Sequence, residues 1–316
     1  MRRMIVLATA CALLLPAAAH AQRAVTVRVD NDAFNFWQYP WSRPDEEYTS
    51  GVRVSVALDG AAPWTRLVAR FLGHCAEGIA PCASQSYELG QDIYTAARPR
   101  DATIAPPGSR PDVGVLWVRS TARLARETDL NEMGWTIGVI GAPSLAEPAQ
   151  RFFHSLAPAY NRRITWGNTL PAEPVFSVQY DRRRMMFVRA LEIEPHGGGT
   201  LGTLLTEARV GVGARLGKVL QHPWRIGPVD KAFAFELAGD ATLRAVARNE
   251  VLSGTFFRES ARMTLRPLVS ELAGGVRVRW HGLDVSWIAH QTSAEYTARR
   301  APHVWSTLQL TWHPSR

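Results

Sequence analysis

The sequence has few cysteines, few lysines and no long hydrophobic segment beyond its N-terminus. Only three of the 316 residues are cysteine, which excludes a disulfide-dense miniprotein. Hydrophobic residues make up 46% of the chain, which excludes a disordered protein. A transmembrane helix needs about 18 or more apolar residues, and no such run follows the N-terminus. This excludes a helical membrane protein and leaves a membrane β-barrel open.

Several catalytic motifs are also absent. The sequence contains no Gly-x-Ser-x-Gly elbow, no His-Glu-x-x-His motif, no Gly-rich phosphate loop and no zinc-binding cysteine pattern. The formal net charge is +8, but the positive residues are scattered, so we expect no nucleic-acid partner. Only two of the 36 basic residues are lysine, Lys218 and Lys231. The excess of arginine suits phosphate or carboxylate binding, or reflects a GC-rich genome.

The first 21 residues have the features of a secretory signal peptide. Arg2 and Arg3 precede an apolar segment at residues 4–16, and Ala19-His20-Ala21 fits a cleavage site. We therefore expect the mature chain to begin at Gln22. Because no composition shift marks a second domain, residues 22–316 are predicted to form a single domain.

Two cysteines remain in the predicted mature chain. Cys75 and Cys82 are separated by six residues, and in an exported protein such a pair is expected to form a disulfide that closes a small loop. A metal site that includes the neighbouring His74 is the weaker alternative.

Apolar and polar residues alternate with period two along most of the chain, which predicts strands with one apolar and one polar face. Turn residues separate these stretches, and His196-Gly197-Gly198-Gly199 is predicted to be one such turn. A short helix is predicted around residues 144–160, and a second helical piece near residues 249–259. The clearest alternating stretches are residues 25–29, 52–56, 133–139, 210–216, 233–237, 276–280, 283–287 and 308–312.

Two architectures suit many amphipathic strands, namely a soluble β-sandwich or barrel and an outer-membrane barrel. Small residues on the polar face fit a lumen wall, and the Val/Leu/Trp face fits lipid. The 11 tryptophans are typical of a protein at a membrane interface. We therefore predict an all-β fold, an antiparallel transmembrane β-barrel in the bacterial outer membrane.

Candidate metal-binding residues cluster at the end of the first predicted strand. In Asp30-Asn31-Asp32, clustered oxygen ligands suit calcium, although the same residues also form turns. In Thr49-Ser50-Gly51, at the start of the next strand, the Thr49 hydroxyl and an unhindered Gly51 backbone could contribute. By parity Thr49 is expected on the polar side with Gly51 and Arg53.

His154 is the candidate general base. It follows Gln150 by four residues, so both lie on one face of the predicted helix, and neutral imidazole is the usual base near neutral pH. A lone histidine is more often structural, so this assignment depends on which other functional residues accompany it.

An ordered set of short motifs resembles the outer-membrane lipid A 3′-O-deacylase family. The motifs span nearly all of the predicted mature chain, and their order makes the set fairly specific. They are Val29-Asp30-Asn31-Asp32-Ala33-Phe34, Glu47-Tyr48-Thr49-Ser50-Gly51, Gln91-Asp92-Ile93-Tyr94-Thr95, Gly138-Val139-Ile140-Gly141, Gln150 with His154, Trp166-Gly167, Glu173-Pro174 and Ser293-Ala294-Glu295-Tyr296.

The resemblance implies a twelve-stranded barrel and a calcium-dependent esterase that removes the 3′-linked acyloxyacyl chain of lipid A. The family's functional residues fall on Asn31, Asp32, Thr49 and His154. Ca²⁺ is expected at Asp32, with backbone carbonyls near Thr49 to Gly51 as further ligands. Asn31 is expected to stabilise the oxyanion or to orient His154.

Three arginines could hold lipid A phosphates, namely Arg98, Arg100 and Arg110, although solvation at the surface explains them equally well. The sequence differs from the family where Ser109-Arg110-Pro111 replaces Asp-Arg-Pro, and where no acidic residue occurs between positions 155 and 165. The expected partners are lipopolysaccharide and outer-membrane lipids, and the expected state is a monomer. A non-catalytic barrel that acts as a pore or structural protein, and a soluble exported lipid-binding β protein, remain the alternatives.

Overall fold

The computed structural model describes residues 22–35, 46–62, 64–65, 83–99, 102–126, 128–156, 164–188, 191–217 and 232–314. The predicted signal peptide, the predicted Cys75–Cys82 disulfide and Arg100 lie outside these residues.

Twelve long antiparallel strands close into a barrel, and a thirteenth short strand, β7, extends one hairpin. The barrel closes because β1 pairs with both β2 and β13, while β6 pairs with both β5 and β8. The strands are β1 (Gln22–Asn31), β2 (Glu47–Asp59), β3 (Ala83–Thr95), β4 (Val113–Ala125), β5 (Asp129–Ile140), β6 (Glu173–Arg184), β7 (Met186–Val188), β8 (Leu191–Gly202), β9 (Leu205–Gly217), β10 (Ala234–Asn249), β11 (Leu268–Trp280), β12 (Leu283–Thr292) and β13 (His303–Trp312).

Helices are few in the described part of the chain. The helix α1 (Ala146–Leu156) follows a 3₁₀ turn at Ala142–Ser144, and the short helix α2 (Glu250–Ser253) follows β10 directly. The first confirms the helix predicted around residues 144–160, whereas the second is shorter than the predicted 249–259. None of the helices among the described residues is long and apolar enough to cross a membrane.

The alternation of the sequence separates the two faces of the barrel wall. Val27 and Val54, which pair across β1 and β2, are both more than 40% exposed on the outer face. Arg28 and Arg53, the next pair, point into the lumen, where both reach Asp30. An apolar outer face and a charged interior are the pattern of an outer-membrane barrel.

One predicted turn is wrong, because residues 196–199 lie inside β8 and not between strands. His196 points into the lumen, where its Nε2 lies 2.8 Å from Asp240 Oδ2. A side chain at Gly198 would collide with the Tyr180 carbonyl and the Asp181 carboxylate of β6. The glycines at this place therefore permit close strand approach.

The two ends of the barrel differ. At the end that carries the chain termini, two of the five connections are tight turns, between β4 and β5 and between β11 and β12. At the opposite end, five of the six connections have ten or more residues, and the longest joins β5 to β6. Outer-membrane barrels have short periplasmic turns and longer extracellular loops. We therefore assign the end opposite the termini, called the loop rim below, to the cell exterior.

An apolar core fills the barrel mouth at the loop rim. Val251 and Leu252 of α2 are buried against inward-facing residues of β4, β5 and β6. This packing places α2 within the barrel mouth at the loop rim. The core consists of Val113, Val115, Trp117, Ile140, Leu170, Val175, Val251, Leu252 and Tyr296.

Candidate active site

The helix α1 lies on the outside of the barrel wall at the loop rim. Trp117 points into the lumen, where its Nε1 donates to Asp92 Oδ2 at 2.7 Å, so Gly114 on the same strand faces outward. A side chain at Gly114 would collide with Ala146 and Ser144 at the start of α1. The outward-facing Gln91 donates from Nε2 to the Ser144 carbonyl at 2.6 Å. Glycine and glutamine thus fix the helix against β3 and β4.

The wall beneath this loop segment is covered. On β3, Tyr87 points outward and is 40% exposed, but Ile93 on the same face is only 3% exposed and Thr95 is fully buried. The lower part of the strand is open to lipid, and its last two outward positions are not. A sheltered surface therefore lies between α1 and the ends of the strands.

A β-bulge in β2 brings Thr49 to this outer surface. The pairing of β2 with β3 shifts between Tyr48 and Ser50, and the Thr49 and Thr95 hydroxyls share a buried hydrogen bond of 2.5 Å. The prediction that Thr49 lies on the lumen side with Gly51 and Arg53 is therefore wrong. The extra residue in the bulge changes the alternation of side chains at that point.

Asn31 and Asp32 lie at the end of β1 beside this surface. Asn31 pairs with Ser50, and its Oδ1 accepts from Ala33 N at 2.7 Å, which caps the 3₁₀ turn Asp32–Phe34. Asp32 is buried, and its Oδ2 accepts from Glu46 N at 3.1 Å. The two residues thus fix both ends of the loop that joins β1 to β2.

Gln150 and His154 lie on one face of α1, as predicted, and this face is toward the barrel. Gln150 is buried, and its Oε1 accepts from Trp166 Nε1 at 2.8 Å. His154 lies in the last turn of the helix and is half-buried. The contact with Trp166 ties α1 to the later part of the same connection and orients the face that carries His154.

A charged network supports the inner side of the wall behind Asn31 and Thr49. The Tyr48 hydroxyl donates to Asp30 Oδ2 at 2.7 Å and to Asp92 Oδ1 at 3.1 Å, and Arg53 pairs with both carboxylates. A side chain at Gly51 would collide with the Tyr48 ring. Gly51 therefore faces the lumen, and a metal-binding role for it would rest on its backbone carbonyl.

Two of the predicted phosphate-binding arginines are buried in ion pairs. Arg98 Nη2 lies 2.6 Å from Asp112 Oδ2, and Arg110 Nη1 lies 2.7 Å from Glu47 Oε2. The two arginines are 3% and 1% exposed. The prediction that they contact lipid phosphates does not fit this burial, so we assign them to the anchoring of the rim loops.

The oxygen donors at the end of β1 suit calcium in kind but are poor in charge. Among the described residues, no group of three or more His, Cys, Asp or Glu side chains is placed to hold a metal. Asp32 would be the one carboxylate, with hydroxyl, carboxamide and backbone oxygens beside it. Calcium accepts such mixed oxygen ligands, and few charges make its sites weak.

Sequence reasoning missed the network of Tyr48, Arg53 and Asp92, and the buried pair of Glu173 with Glu250. Arg53 and Asp92 occupy inward-facing positions of the neighbouring strands β2 and β3, so the period-two alternation of these strands could have identified them. Glu173 and Glu250 are far apart in sequence and no local pattern links them.

Comparison with known proteins places this barrel in a family. The sequence model described as "Outer membrane protein LpxR" matches residues 5–314. The chain belongs to the LpxR family. The protein is therefore an outer-membrane barrel of the lipid A deacylase-like type, as the sequence predicted.

A solved structure of the same family shares this fold. LpxR from Salmonella typhimurium superimposes with a TM-score of 0.73 at 16% identity, over 92% of this chain and 100% of that one. The β domain of the Bordetella autotransporter BrkA gives a TM-score of 0.46 at 9% identity, over 92% and 99% of the two chains. No curated protein matches the sequence at a significant level.

Proposed function

We propose that this LpxR-family protein is an esterase that hydrolyses the 3′-linked acyloxyacyl chain of lipid A in the outer leaflet. One observation carries the proposal, which is the placement of α1, with Gln150 and His154, against the outer face of the wall that carries Asn31 and Thr49. A site on the outside of a membrane barrel is open to lipid, whereas a lumenal site is not.

His154 would act as the general base. Water is a poor nucleophile toward an ester, so its proton must be removed as it attacks the carbonyl carbon. When the tetrahedral intermediate collapses, the bond to the sugar oxygen breaks and the protonated His154 returns the proton to that oxygen. The contact of Gln150 with Trp166 would hold the helix, and with it the imidazole, in place.

Asn31 would stabilise the negative charge that develops on the carbonyl oxygen. Its Oδ1 accepts from Ala33 N, which leaves the amide nitrogen as the group that turns toward substrate. The Thr49–Thr95 pair would keep the adjacent strand ends in register. Ca²⁺, when bound by Asp32 and backbone carbonyls near Gly51, would supply positive charge to the same oxyanion.

Mass spectrometry of lipid A tests this function. Cells that express the protein should contain lipid A lacking the 3′ acyloxyacyl group, and cells that express His154→Ala should not. Lipid A that is unchanged by the folded wild-type protein, both in cells and after purification into detergent with calcium, would favour a non-catalytic barrel.

A further inference from the structure

The helix α1 has three distinct sides. The side that faces the barrel carries Ala146, Gln150 and His154. A second side carries Glu147 and Arg151, which form an exposed ion pair of 3.6 Å. A third side is apolar and is exposed among the described residues. Successive residues of a helix are about 100° apart, so these three sets of residues lie on different sides.

The apolar side carries two phenylalanines. Phe152 and Phe153 are 52% and 50% exposed, and their rings form an edge-to-face pair with centroids 5.7 Å apart. Leu145, directly before the helix, is 49% exposed and adopts a left-handed backbone conformation with φ of 59°. Such a conformation is uncommon for a leucine, and it leaves an exposed apolar side chain directly before the helix.

This apolar side continues the lipid-facing wall. The helix connects β5 to β6 and begins on the outer face of β4. The same three strands carry exposed apolar residues on their outer faces, namely Val118, Ile137 and Phe176, which are 40%, 48% and 50% exposed. In an outer-membrane barrel, those positions contact lipid acyl chains. The helix therefore lies at the upper edge of a surface that contacts lipid acyl chains.

We propose that α1 is an interfacial helix, with Phe152 and Phe153 inserted among the acyl chains of the outer leaflet. A helix with one apolar and one charged side lies in the plane of a membrane interface, with the charged side toward the headgroups. The Glu147–Arg151 pair provides that charged side. The insertion holds the helix, and with it His154, beside membrane lipid; this last consequence rests on the proposed function.

Depth-dependent fluorescence quenching tests the insertion without reference to activity. Cys75 and Cys82 are replaced by serine, and single cysteines are introduced as Phe152→Cys, Phe153→Cys and Arg151→Cys. Each full-length mature protein is labelled with an environment-sensitive fluorophore and reconstituted into phosphatidylcholine vesicles. Arg151→Cys is the matched control because it lies next to Phe152 on the charged side. Heat-modifiable gel mobility verifies that each variant is folded.

Labels at positions 152 and 153 should be quenched at least about twofold more by acyl-chain nitroxide lipids than the label at position 151, and less by aqueous iodide. Equal iodide quenching at positions 151 and 152 would overturn the proposal. Labels at 152 and 153 shielded from both quenchers would also overturn it, in favour of a second copy or another protein as the occupant.

A second measurement concerns the catalytic consequence. Phe152→Ser with Phe153→Ser should raise the KM for lipid A in vesicles by about tenfold, because two buried apolar side chains are lost from the membrane contact. Arg151→Lys, which keeps the positive charge beside Glu147, should leave the KM unchanged. Both variants should act on lipid A dispersed in detergent as the wild type does. An unchanged KM in vesicles for the double variant would refute the catalytic part. If the wild type has no esterase activity, the proposed function fails while the quenching result still decides the insertion.

Discussion

The buried carboxyl groups of Glu173 and Glu250 are close neighbours at the loop rim, and neither carboxyl oxygen of Glu250 has a hydrogen-bond partner among the described residues. Glu173 opens β6 and accepts from the backbone N–H groups of Phe256 and Phe257. Glu250 opens α2, and its own N–H donates to the Leu204 carbonyl. The pair therefore lies where the barrel wall meets α2. Because two adjacent buried carboxylates repel each other, the pair is stable when one of them is protonated.

The pH dependence of stability should reflect Glu250. Burial, and next the neighbouring Glu173, raise the pKa of Glu250 from 4.5 to about 8, and the charge of Arg248 opposes the shift only in part. The native state therefore holds a proton that the unfolded chain releases above pH 4.5, so stability should fall as pH rises from about 4.5 to 8. The midpoint of heat-induced mobility change on gels, measured at pH 5 and pH 9, checks this.

Glu250→Gln should remove that part of the pH dependence, because glutamine keeps the shape of the side chain and does not titrate. The variant should be more stable than the wild type at pH 9 and nearly equal to it at pH 5. A wild-type stability that is flat or rising between pH 5 and pH 9, with no difference from Glu250→Gln, would contradict a protonated Glu250 in the native state.

Loss of the proposed base should abolish turnover without unfolding the barrel. His154→Ala should lower the rate of lipid A deacylation by about 100- to 10,000-fold, the usual range for general-base loss. His281→Asn is a suitable control because His281 lies in the tight turn at the opposite end and has a left-handed φ of 48° that asparagine tolerates. Near-normal activity of folded His154→Ala would remove the imidazole from the mechanism.

Calcium should be needed at high concentration. Asp32 would be the one carboxylate among the expected ligands, because Asp30 pairs with Arg28 and Arg53 in the lumen. We therefore expect binding in the millimolar range of extracellular sites. Chelation should stop deacylation, and added calcium should restore it. Asp32→Asn keeps the shape but not the charge, so it should require more calcium than the wild type. Activity that persists after exhaustive chelation would contradict a role for calcium. Asn31 and backbone N–H groups would then have to stabilise the oxyanion without it.

The buried Arg110–Glu47 pair should affect stability and not substrate affinity. Arg110→Met leaves Glu47 buried with Tyr296 and Arg299 as its partners and should lower the free energy of unfolding by roughly 3 kcal/mol. Arg110→Met with Glu47→Gln should be less destabilising than the sum of the two single changes. The KM of the folded fraction for lipid A should stay at the wild-type value, and a large rise in KM would restore the predicted phosphate contact.

Local alternation predicted eight of the twelve long strands and the two faces of the wall, whereas β3, β4, β6 and β8 lie outside the predicted stretches. Val27 and Val54 lie outward and Arg28 and Arg53 inward because successive side chains of a strand point to opposite sides. The same reasoning failed at Thr49, where one extra residue in a bulge reverses the side, and at residues 196–199, where glycines serve close strand packing and not a turn.

Local patterns indicate the amphipathic strands, their two faces and the helical pair Gln150 and His154, because periods of two and of 3.6 residues are local properties of the chain. The position of α1 outside the wall, the position of α2 in the mouth and the burial of Arg98 and Arg110 follow from the folded barrel alone. Those outcomes depend on pairings between distant segments, such as Glu47 with Arg299 at 2.8 Å. No local pattern encodes such contacts, since they exist only after the strands have closed into a barrel.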